Sequence, residues 1–376
     1  YVTPEESGLW VGSSIQFEAE AVAADGSTLE GRATTWTSSD PAVATVSSTG
    51  RLSGVAVGTA TVTATVEGVD GTATGHVVTP LPVGRGRTVL DMGHEFSCAV
   101  DVSGELSCWG SGLDGRLGNG STAPRSSPTP VAGSAAVLAK EGNVNGTPSY
   151  ISVSTGDRFA CGLTGGMKIN CWGSGSSGQL GDGVSSAGRT SLIPVPVAGE
   201  EDWRQVDAGG AHACAVILTG QAYCWGYGGR GQLGDGGTAS SWEPVAVEGG
   251  RVFQTISAGG HYTCGLTPNG EAFCWGLNDV GQLGDGSTTD RSTPTPVAGG
   301  RRFAYLEAGR KATCGITTTG LTYCWGGGPL GDGTSNNSAV PVLVGGGLTF
   351  NSISGSQGQI CGVRPGGQVY CWSGYG

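Results

Sequence analysis

The sequence predicts an all-β protein: a small β-sandwich over residues 1–76, then a six-bladed β-propeller over 77–376 with one disulfide per blade. Three observations carry this. A Cys-Trp dipeptide recurs six times, at 108, 171, 224, 274, 324 and 371. Each of these cysteines has another ten positions earlier. Short Val/Thr/Ala segments separated by turn residues fill the first eighty positions, and glycine, 73 of 376 residues, punctuates the chain at about three times its usual share.

The repeat fixes the second domain. Successive Cys-Trp spacings are 63, 53, 50, 50 and 47 residues. The longest contains an insertion, Ser134 to Ser149, whose Ala-Ala-Val-Leu-Ala-Lys-Glu core suggests a helical turn. The pairs are Cys98/Cys108, Cys161/Cys171, Cys214/Cys224, Cys264/Cys274, Cys314/Cys324 and Cys361/Cys371, and none of the 12 cysteines is left over. Between partners lie an apolar half-strand, a turn such as Pro268-Asn269-Gly270, and a second half-strand, which together read as a β-hairpin. Facing residues of such a hairpin come within disulfide reach. Zinc ligation and buried free thiols are the competing readings; zinc would bring Cys-x-x-Cys pairs or nearby histidines, and these do not accompany the six pairs. Disulfides imply an oxidising, extracytoplasmic compartment, secreted or at the cell surface.

Each unit has two further blocks. After the Trp comes Gly-Arg-Leu-Gly-Asn-Gly at 115–120, Gly-Gln-Leu-Gly-Asp-Gly at 178–183, 231–236 and 281–286, and Gly-Pro-Leu-Gly-Asp-Gly at 328–333, three residues closer to its Trp. Then follow the proline-rich segments Pro128–Val131, Pro194–Val197, Pro244–Val247, Pro294–Val297 and Pro341–Val344, which proline confines to sheet edges. Inner strand, cysteine hairpin and edge strand make four strands, the blade of a propeller. The sixth unit lacks its edge strand, and 77–84 (Val-Val-Thr-Pro-Leu-Pro-Val-Gly) supplies the matching segment, so this strand is expected to close the ring.

These blocks resemble the regulator-of-chromosome-condensation repeat family. The likeness rests on segments such as Ala208–Cys214, Tyr223–Gly226 and Gly231–Gly236, and covers about residues 77–376. It implies a β-propeller used as a binding platform. The family is typically seven-bladed, whereas this sequence supplies six units, and its six cysteine pairs set it apart from the nuclear prototype.

Residues 1–78 contain Gly12–Ala19, Trp36–Val46 and Gly54–Ala64, short strands of a β-sandwich. These motifs look like a bacterial Ig-like domain of group 2, common in bacterial surface proteins, with a first strand cut short because only three residues precede Pro4. The last sandwich strand, about Thr72 to Val78, runs almost directly into 77–84, and the absence of a Gly/Ser linker predicts a stiff junction. No signal peptide precedes Tyr1, which reads as a mature or trimmed chain.

Composition narrows the function. Net charge is −11, and the only lysines are Lys140, Lys168 and Lys311, so no basic footprint for nucleic acid exists. No run of 18 apolar residues spans a membrane. The four histidines, His76, His94, His212 and His261, form no His-Glu-x-x-His motif, and no Gly-x-Ser-x-Gly elbow occurs. Gly-x-Gly-x-x-Gly at 110–115, 173–178 and 226–231 sits at hairpin exits rather than before helices. Asp182, Asp235, Asp285 and Asp332 read as backbone-bonding turn residues, one per turn being too few for calcium. The Cys-adjacent tryptophans read as packing between blades, with carbohydrate stacking the alternative. No catalytic residue, cofactor or metal ligand is predicted, and the chain reads as non-enzymatic.

Functional signal is sought where the repeats differ, because loops on a rigid scaffold carry function. The turns before the first cysteines carry His94-Glu95, Asp157-Arg158, Gly210-Ala211, Gly260-His261, Arg310-Lys311 and Gln357-Gly358, and are expected to ring one mouth of the propeller. The family's histidine two residues before the cysteine is kept as His212, where other units have Phe96, Phe159, Tyr262, Ala312 and Gln359. A second variable set follows the Trp: Leu113-Asp114, Tyr227 with Arg230, Leu277-Asn278-Asp279, and Tyr375. The candidate interaction face is thus His94, Glu95, Asp157, Arg158, Tyr227, Arg230, His261, Asn278, Arg310 and Lys311. Expected partners are other proteins or copies of the chain itself at a surface, with glycan a further candidate. Three roles fit: a structural or adhesive module, polymerising into a fibre or surface layer through an unpaired sandwich edge; a secreted propeller that blocks an enzyme; and a lectin. Asn119, Asn145 and Asn336 begin glycosylation sequons.

Overall fold

The computed structural model describes the chain except residues 1, 4–5, 11–13, 23–31, 57, 79–88, 135–148, 187, 346–347, 357–358 and 374–376. Two compact units emerge, Tyr1–Arg87 and Thr88–Gly376. All regular structure described is β apart from one 3-10 turn at Leu113–Gly115.

In the N-terminal unit, a four-stranded sheet runs Glu6–Trp10, Val69–Val78, Gly58–Val66, Thr34–Ser38, and a three-stranded sheet runs Ser14–Gln16, Arg51–Gly54, Ala44–Val46. The alternating pattern of Gly58–Val66 sends Ala60, Val62 and Ala64 inward, onto Phe17, Leu52, Ala73 and Val77. Among the described strands Glu6–Trp10 lies at the edge of its sheet, with one side unpaired. Glu6–Trp10 pairs in parallel with Val69–Val78, and Val2–Thr3 pairs with Glu18–Ala19. Val77 and Val78 also pair within this unit's sheet, registered on Gly58 and on Leu9 and Trp10. The remainder of the expected closing strand, 79–84, lies outside the described residues, as do the core of the 134–149 insertion, Asn145, Gln357-Gly358 and Tyr375.

The second unit contains six successive antiparallel sheets, each a blade of the predicted propeller. Blade 1 runs Val89–Met92, Phe96–Val100, Leu106–Gly110, Arg125–Pro130, and blades 2 to 5 repeat this order over 150–196, 203–246, 255–296 and 303–343. Blade 6 has three strands among the described residues, Ser352–Ser356, Gln359–Val363 and Val369–Ser373. The proline-rich segments are outer strands, as their missing N–H groups require. Inner strands of consecutive blades pack on one another from the first to the sixth.

All six predicted disulfides are present: Cys98–Cys108, Cys161–Cys171, Cys214–Cys224, Cys264–Cys274, Cys314–Cys324 and Cys361–Cys371. Each joins directly registered residues of the central hairpin, with Cα atoms 4.0–4.1 Å apart. The competing readings, zinc ligation and free thiols, are thereby set aside for these cysteines. Closing a loop this short removes about 2–3 kcal/mol of unfolded-state entropy per bridge in the chain-entropy model. The bridges of blades 1 to 5 are fully buried, whereas in blade 6 Cys371 is exposed.

The second cysteine of each bridge in blades 1 to 5 also marks a break that the hairpin pattern does not announce. A regular ladder would carry the third strand evenly along the outer one. Instead the register slips across the Trp that follows, by a bulge between Cys108 and Gly110, Cys171 and Gly173, Cys224 and Gly226, Cys274 and Gly276, and Cys324 and Gly326. Cys108, Cys171, Cys224, Cys274 and Cys324 thus keep their partners on both sides, at Thr129, Val195, Val245, Thr295 and Val342 of the outer strands, while the next residue leaves the ladder. In blades 2 to 5 the residue that leaves the ladder is a Trp whose ring packs on the preceding blade.

These tryptophans lock the blades together. Trp172, Trp225 and Trp275 are fully buried and donate their indole N–H to the carbonyls of Arg116, Gln179 and Gln232 in the preceding blade, each at 3.0 Å. Their rings lie against Gly118, Gly181 and Gly234, whose positive φ and lack of a Cβ permit the approach. Such burial leaves these rings no face for a sugar. The turn aspartates also act as expected: Asp182, Asp235, Asp285 and Asp332 accept the backbone N–H two residues on, at 2.9–3.2 Å.

Candidate functional site: the turn face of the propeller

The turns between inner and second strands crowd together. Adjacent blades touch backbone to backbone here: a Cβ on Gly156 would lie 2.4 Å from the Gly209 carbonyl, and one on Gly209 2.3 Å from that of Gly259. The N–H of Asp157 donates to Gly210, that of Gly210 to Gly259 and Gly260, and that of Gly260 to Gly309, at 3.2–3.3 Å. Small residues in these turns therefore bring the variable side chains beside them onto one face.

On that face the predicted residues form charge pairs. Asp157 of blade 2 meets Arg310 of blade 5 at 3.9 Å, a pair spanning the face rather than joining neighbours. Arg158 meets Asp114 at 3.8 Å, and Asp114 also receives Arg116 at 3.2 Å. Buried Arg116 donates to the His94 carbonyl at 3.0 Å and lies 4.0 Å from Glu95. Lys311 approaches Asp279 at 3.8 Å and Arg230 approaches Asp290 at 3.6 Å. Tyr227 stands edge-on to His261, centroids 5.9 Å apart. Burial holds the His261 pKa below its usual value, with Asp157 pulling it up and Arg310 and Arg230 pushing it down. Half-exposed pairs of this length contribute about 0–1 kcal/mol, so a ligand can take over either partner at little cost to the fold.

One expectation changes. Asn278 is not a contact residue: it is fully buried, its amide donating to the carbonyls of Ser287 and Thr289 at 3.0–3.1 Å while its oxygen accepts the Leu283 N–H at 3.0 Å. It shapes its own loop. The slot two residues before each first cysteine is also interior in blades 1 to 4, where Phe96, Phe159, His212 and Tyr262 are buried between blades. His212 Nε2 sits 2.8 Å from Thr263 Oγ1, and burial depresses its pKa to about 3, which keeps the imidazole neutral.

The sequence reading missed a ring of inner-strand residues seven positions before each first cysteine: Asp91, Ser154, Asp207, Ser257, Glu307 and Ser354. At each of five successive blade junctions the side chain accepts a backbone N–H of the next blade. Asp91 takes Thr155 at 2.7 Å, Ser154 takes Ala208 at 3.0 Å, Asp207 takes Ala258 at 3.0 Å, Ser257 takes Ala308 at 2.9 Å and Glu307 takes Gly355 at 3.1 Å. Alternation of carboxylate and hydroxyl spaces the charges around the ring, yet burial still raises all three acids. Asp207 is pushed up to about 6 and Glu307 to about 8, each raised further by its fellow carboxylates. Asp91 is raised by burial against the bonds from Thr155 and Met92. Tyr305 donates to Glu307 at 2.9 Å. Among the described residues no three His, Cys, Asp or Glu side chains converge as a metal ion would need.

Known proteins place this architecture. Residues 1–77 match the family model of the bacterial Ig-like domain (group 2), and residues 169–216, 219–266 and 269–316 match that of the regulator of chromosome condensation (RCC1) repeat. The Arabidopsis thaliana ultraviolet-B receptor UVR8 is 34% identical over 157 residues, 41% of this chain and 32% of the receptor. The human E3 ubiquitin-protein ligase HERC2 is 31% identical over 150 residues, 39% of this chain and 3% of the ligase. The chain thus spans a third or less of these relatives' lengths. Among solved structures, human WBSCR16 superposes with a TM-score of 0.67 at 20% identity, covering 76% of this chain and 77% of that one. Prp20p of Saccharomyces cerevisiae, a structure described with its binding to Gsp1p and histones, gives 0.64 at 18% identity over 76% and 71%. No helix among the described residues is long and apolar enough to cross a membrane. The chain carries a group 2 bacterial Ig-like domain followed by a disulfide-stapled β-propeller of regulator-of-chromosome-condensation repeats.

Proposed function

We propose that the propeller is a non-catalytic protein-docking module that works outside the cytoplasm, and that the turn face bearing Asp114, Asp157, Arg158, Tyr227, Arg230, His261, Arg310 and Lys311 is its contact surface. The observation that carries this reading is the set of loose cross-blade pairs on a rigid frame. Arg158, Arg230 and Lys311 are 49–68% exposed and pair at 3.6–3.8 Å, so a partner can reach their charges. Prp20p, with the same fold, is described as binding Gsp1p and histones. The turn face mixes both signs of charge, so its partner is expected to offer charges of both signs rather than a uniformly basic surface. The six disulfides and the group 2 Ig-like domain favour a secreted or surface location.

The immobilised full chain, presented with surface and secreted proteins of its source cells, tests this. Arg158→Glu with Arg310→Glu is expected to weaken capture of the specific partner at least tenfold while the melting temperature is kept, since half-exposed charges carry binding more than folding. Capture that ignores both substitutions would overturn the assignment of this face.

A further inference from the structure

The five junctions between consecutive blades share one design. The trailing face of a blade gives its disulfide and the side chains two residues inside each cysteine. The leading face of the next gives an inner-strand aliphatic and the Cys-adjacent Trp. Between blades 1 and 2, Cys98, Val100, Leu106 and Cys108 thus form one core with Val153 and Trp172, and equivalent apolar residues do so at the other four. The trailing face of blade 6 and the leading face of blade 1 carry the same residue classes, yet both are open. Leu90 is 56% exposed, where Val153, Val206, Ile256, Leu306 and Ile353 at the same repeat position are 2–6%. Met92 is 59% exposed, at a position that is 7% exposed in blades 2 to 5. Trp109 is partly buried, where Trp172, Trp225, Trp275 and Trp325 are fully so. On blade 6, Val369 is 62% exposed and Ser354 and Cys371 are exposed with it. An edge strand added to blade 6, as 79–84 would be, extends that sheet sideways and leaves its face uncovered.

We propose that the trailing face of blade 6 docks on the leading face of blade 1 of a second copy of this chain. The two open faces are the two halves of a contact that the chain makes five times within itself, so a second copy offers the matching surface residue for residue. Val363, Val369 and the Cys361–Cys371 bridge take the places of Val100, Leu106 and Cys98–Cys108, while Leu90 and Trp109 take those of Val153 and Trp172. The polar part matches as well. At the internal junctions a hydroxyl or carboxylate accepts the N–H six residues before the next blade's first cysteine, as Ser257 takes Ala308 at 2.9 Å. Ser354 stands ready to take Met92, whose N–H turns to the neighbouring Asp91 carboxylate at 2.9 Å in the single chain. Removing the exposed aliphatic side chains from water drives the contact. The two faces lie at opposite ends of the blade series, so the contact is heterologous and copies add head to tail. It uses blade faces rather than the turn face, and stands or falls apart from the docking reading.

The full chain is followed by sedimentation velocity and amide hydrogen exchange from about 1 to about 200 μM. Mass should rise with concentration, and exchange at Met92 should slow with it. Leu90→Asp with Met92→Asp disables the leading face, and Val369→Asp the trailing one. Each variant should stay monomeric with its melting temperature kept. Mixing the two leaves one intact face on each, so the mixture should form a heterodimer and nothing larger. A wild type that stays monomeric throughout overturns the proposal, as does assembly that survives either substitution undiminished. Protection of Met92 that ignores concentration would mean that the two faces meet within one chain, which overturns it too. Should a variant unfold, the concentration dependence of Met92 exchange in the wild type still decides.

Discussion

Glu307 is the residue at which the inter-blade ring can be weighed. Its carboxyl accepts the Gly355 N–H at 3.1 Å and the Tyr305 hydroxyl at 2.9 Å, while burial, with Asp207 and Asp91 adding to it, pushes its pKa from 4.5 to about 8. At pH 7 the folded chain therefore holds a proton that the unfolded chain has released. Holding it costs about 1.4 kcal/mol per pH unit above 4.5, a ceiling of about 3 kcal/mol at pH 7. The sign follows from the raised pKa: stability is greatest below the unfolded value and declines as pH rises toward 8. Gln has the shape of the protonated acid, with one acceptor for Gly355 and one donor for the Tyr305 oxygen. Glu307→Gln should raise stability at pH 7.5 by about 1–3 kcal/mol and flatten the decline between pH 5.5 and 7.5, read from urea midpoints with m unchanged. Asp207, raised to about 6, retains its own smaller decline. A variant less stable than wild type at pH 7.5, or one with the wild-type pH slope, would refute the reasoning.

Three further outcomes are expected. Gly234→Ala puts a Cβ 2.6 Å from the Trp275 indole nitrogen at φ +74°, and should cost about 2–4 kcal/mol in chemical denaturation; a loss below 1 would mean that the blades yield at this contact. Asp101 and Asp285 carry pKa values below the usual range. In Asp101 the Ser103 hydroxyl is the main cause; in Asp285 burial pushes upward, but bonds from Ser287 and Arg291 outweigh it. Their contribution is lost as pH falls below about 4, so thermal stability should turn down there, and Asp285→Asn should soften that downturn. Closure of blade 6 by 79–84 remains a proposal. It predicts that Cys361–Cys371 resists a mild reductant like the other five bridges, and that Leu81→Asp with Val83→Asp makes it the first reduced in peptide mapping.

Much of this fold can be read from one sequence because its signals are local and repeated. A cysteine pair ten residues apart states a hairpin register, a Pro-x-Pro-Val segment states an edge, and Leu-Gly-Asp-Gly states a turn closed by its own aspartate. Each is set by geometry within a dozen residues. What was illegible depends on neighbours distant in sequence. The bulges after Cys171, Cys224, Cys274 and Cys324 sit at a Trp that packs on another blade, so the hairpin alone does not show them. Val77-Val78 suits the end of a sandwich strand and the start of a propeller edge equally well, and alternation cannot choose between them. Asp91, Ser154, Asp207, Ser257, Glu307 and Ser354 share a repeat position but not a hydropathy class, so only their common offset from the cysteines could have exposed them. Asn278 sits in a variable loop, which reads as a contact, yet its amide is consumed by that loop. The Asp157–Arg310 pair joins repeats that are not neighbours, and no spacing rule announces it.

The claim that the turn face docks a protein is tested most directly by photo-crosslinking within the assembled chain. A photoreactive amino acid placed at Arg158 or Tyr227 samples the turn face. The same residue at Ser103, in the turn between the second and third strands of blade 1, samples the other end of a blade. The account predicts one discrete crosslinked species from Arg158 and Tyr227 in intact source cells, none from Ser103, and its loss when Arg310→Glu is added. Crosslinking from Ser103 alone, or equally from all three positions, would contradict it.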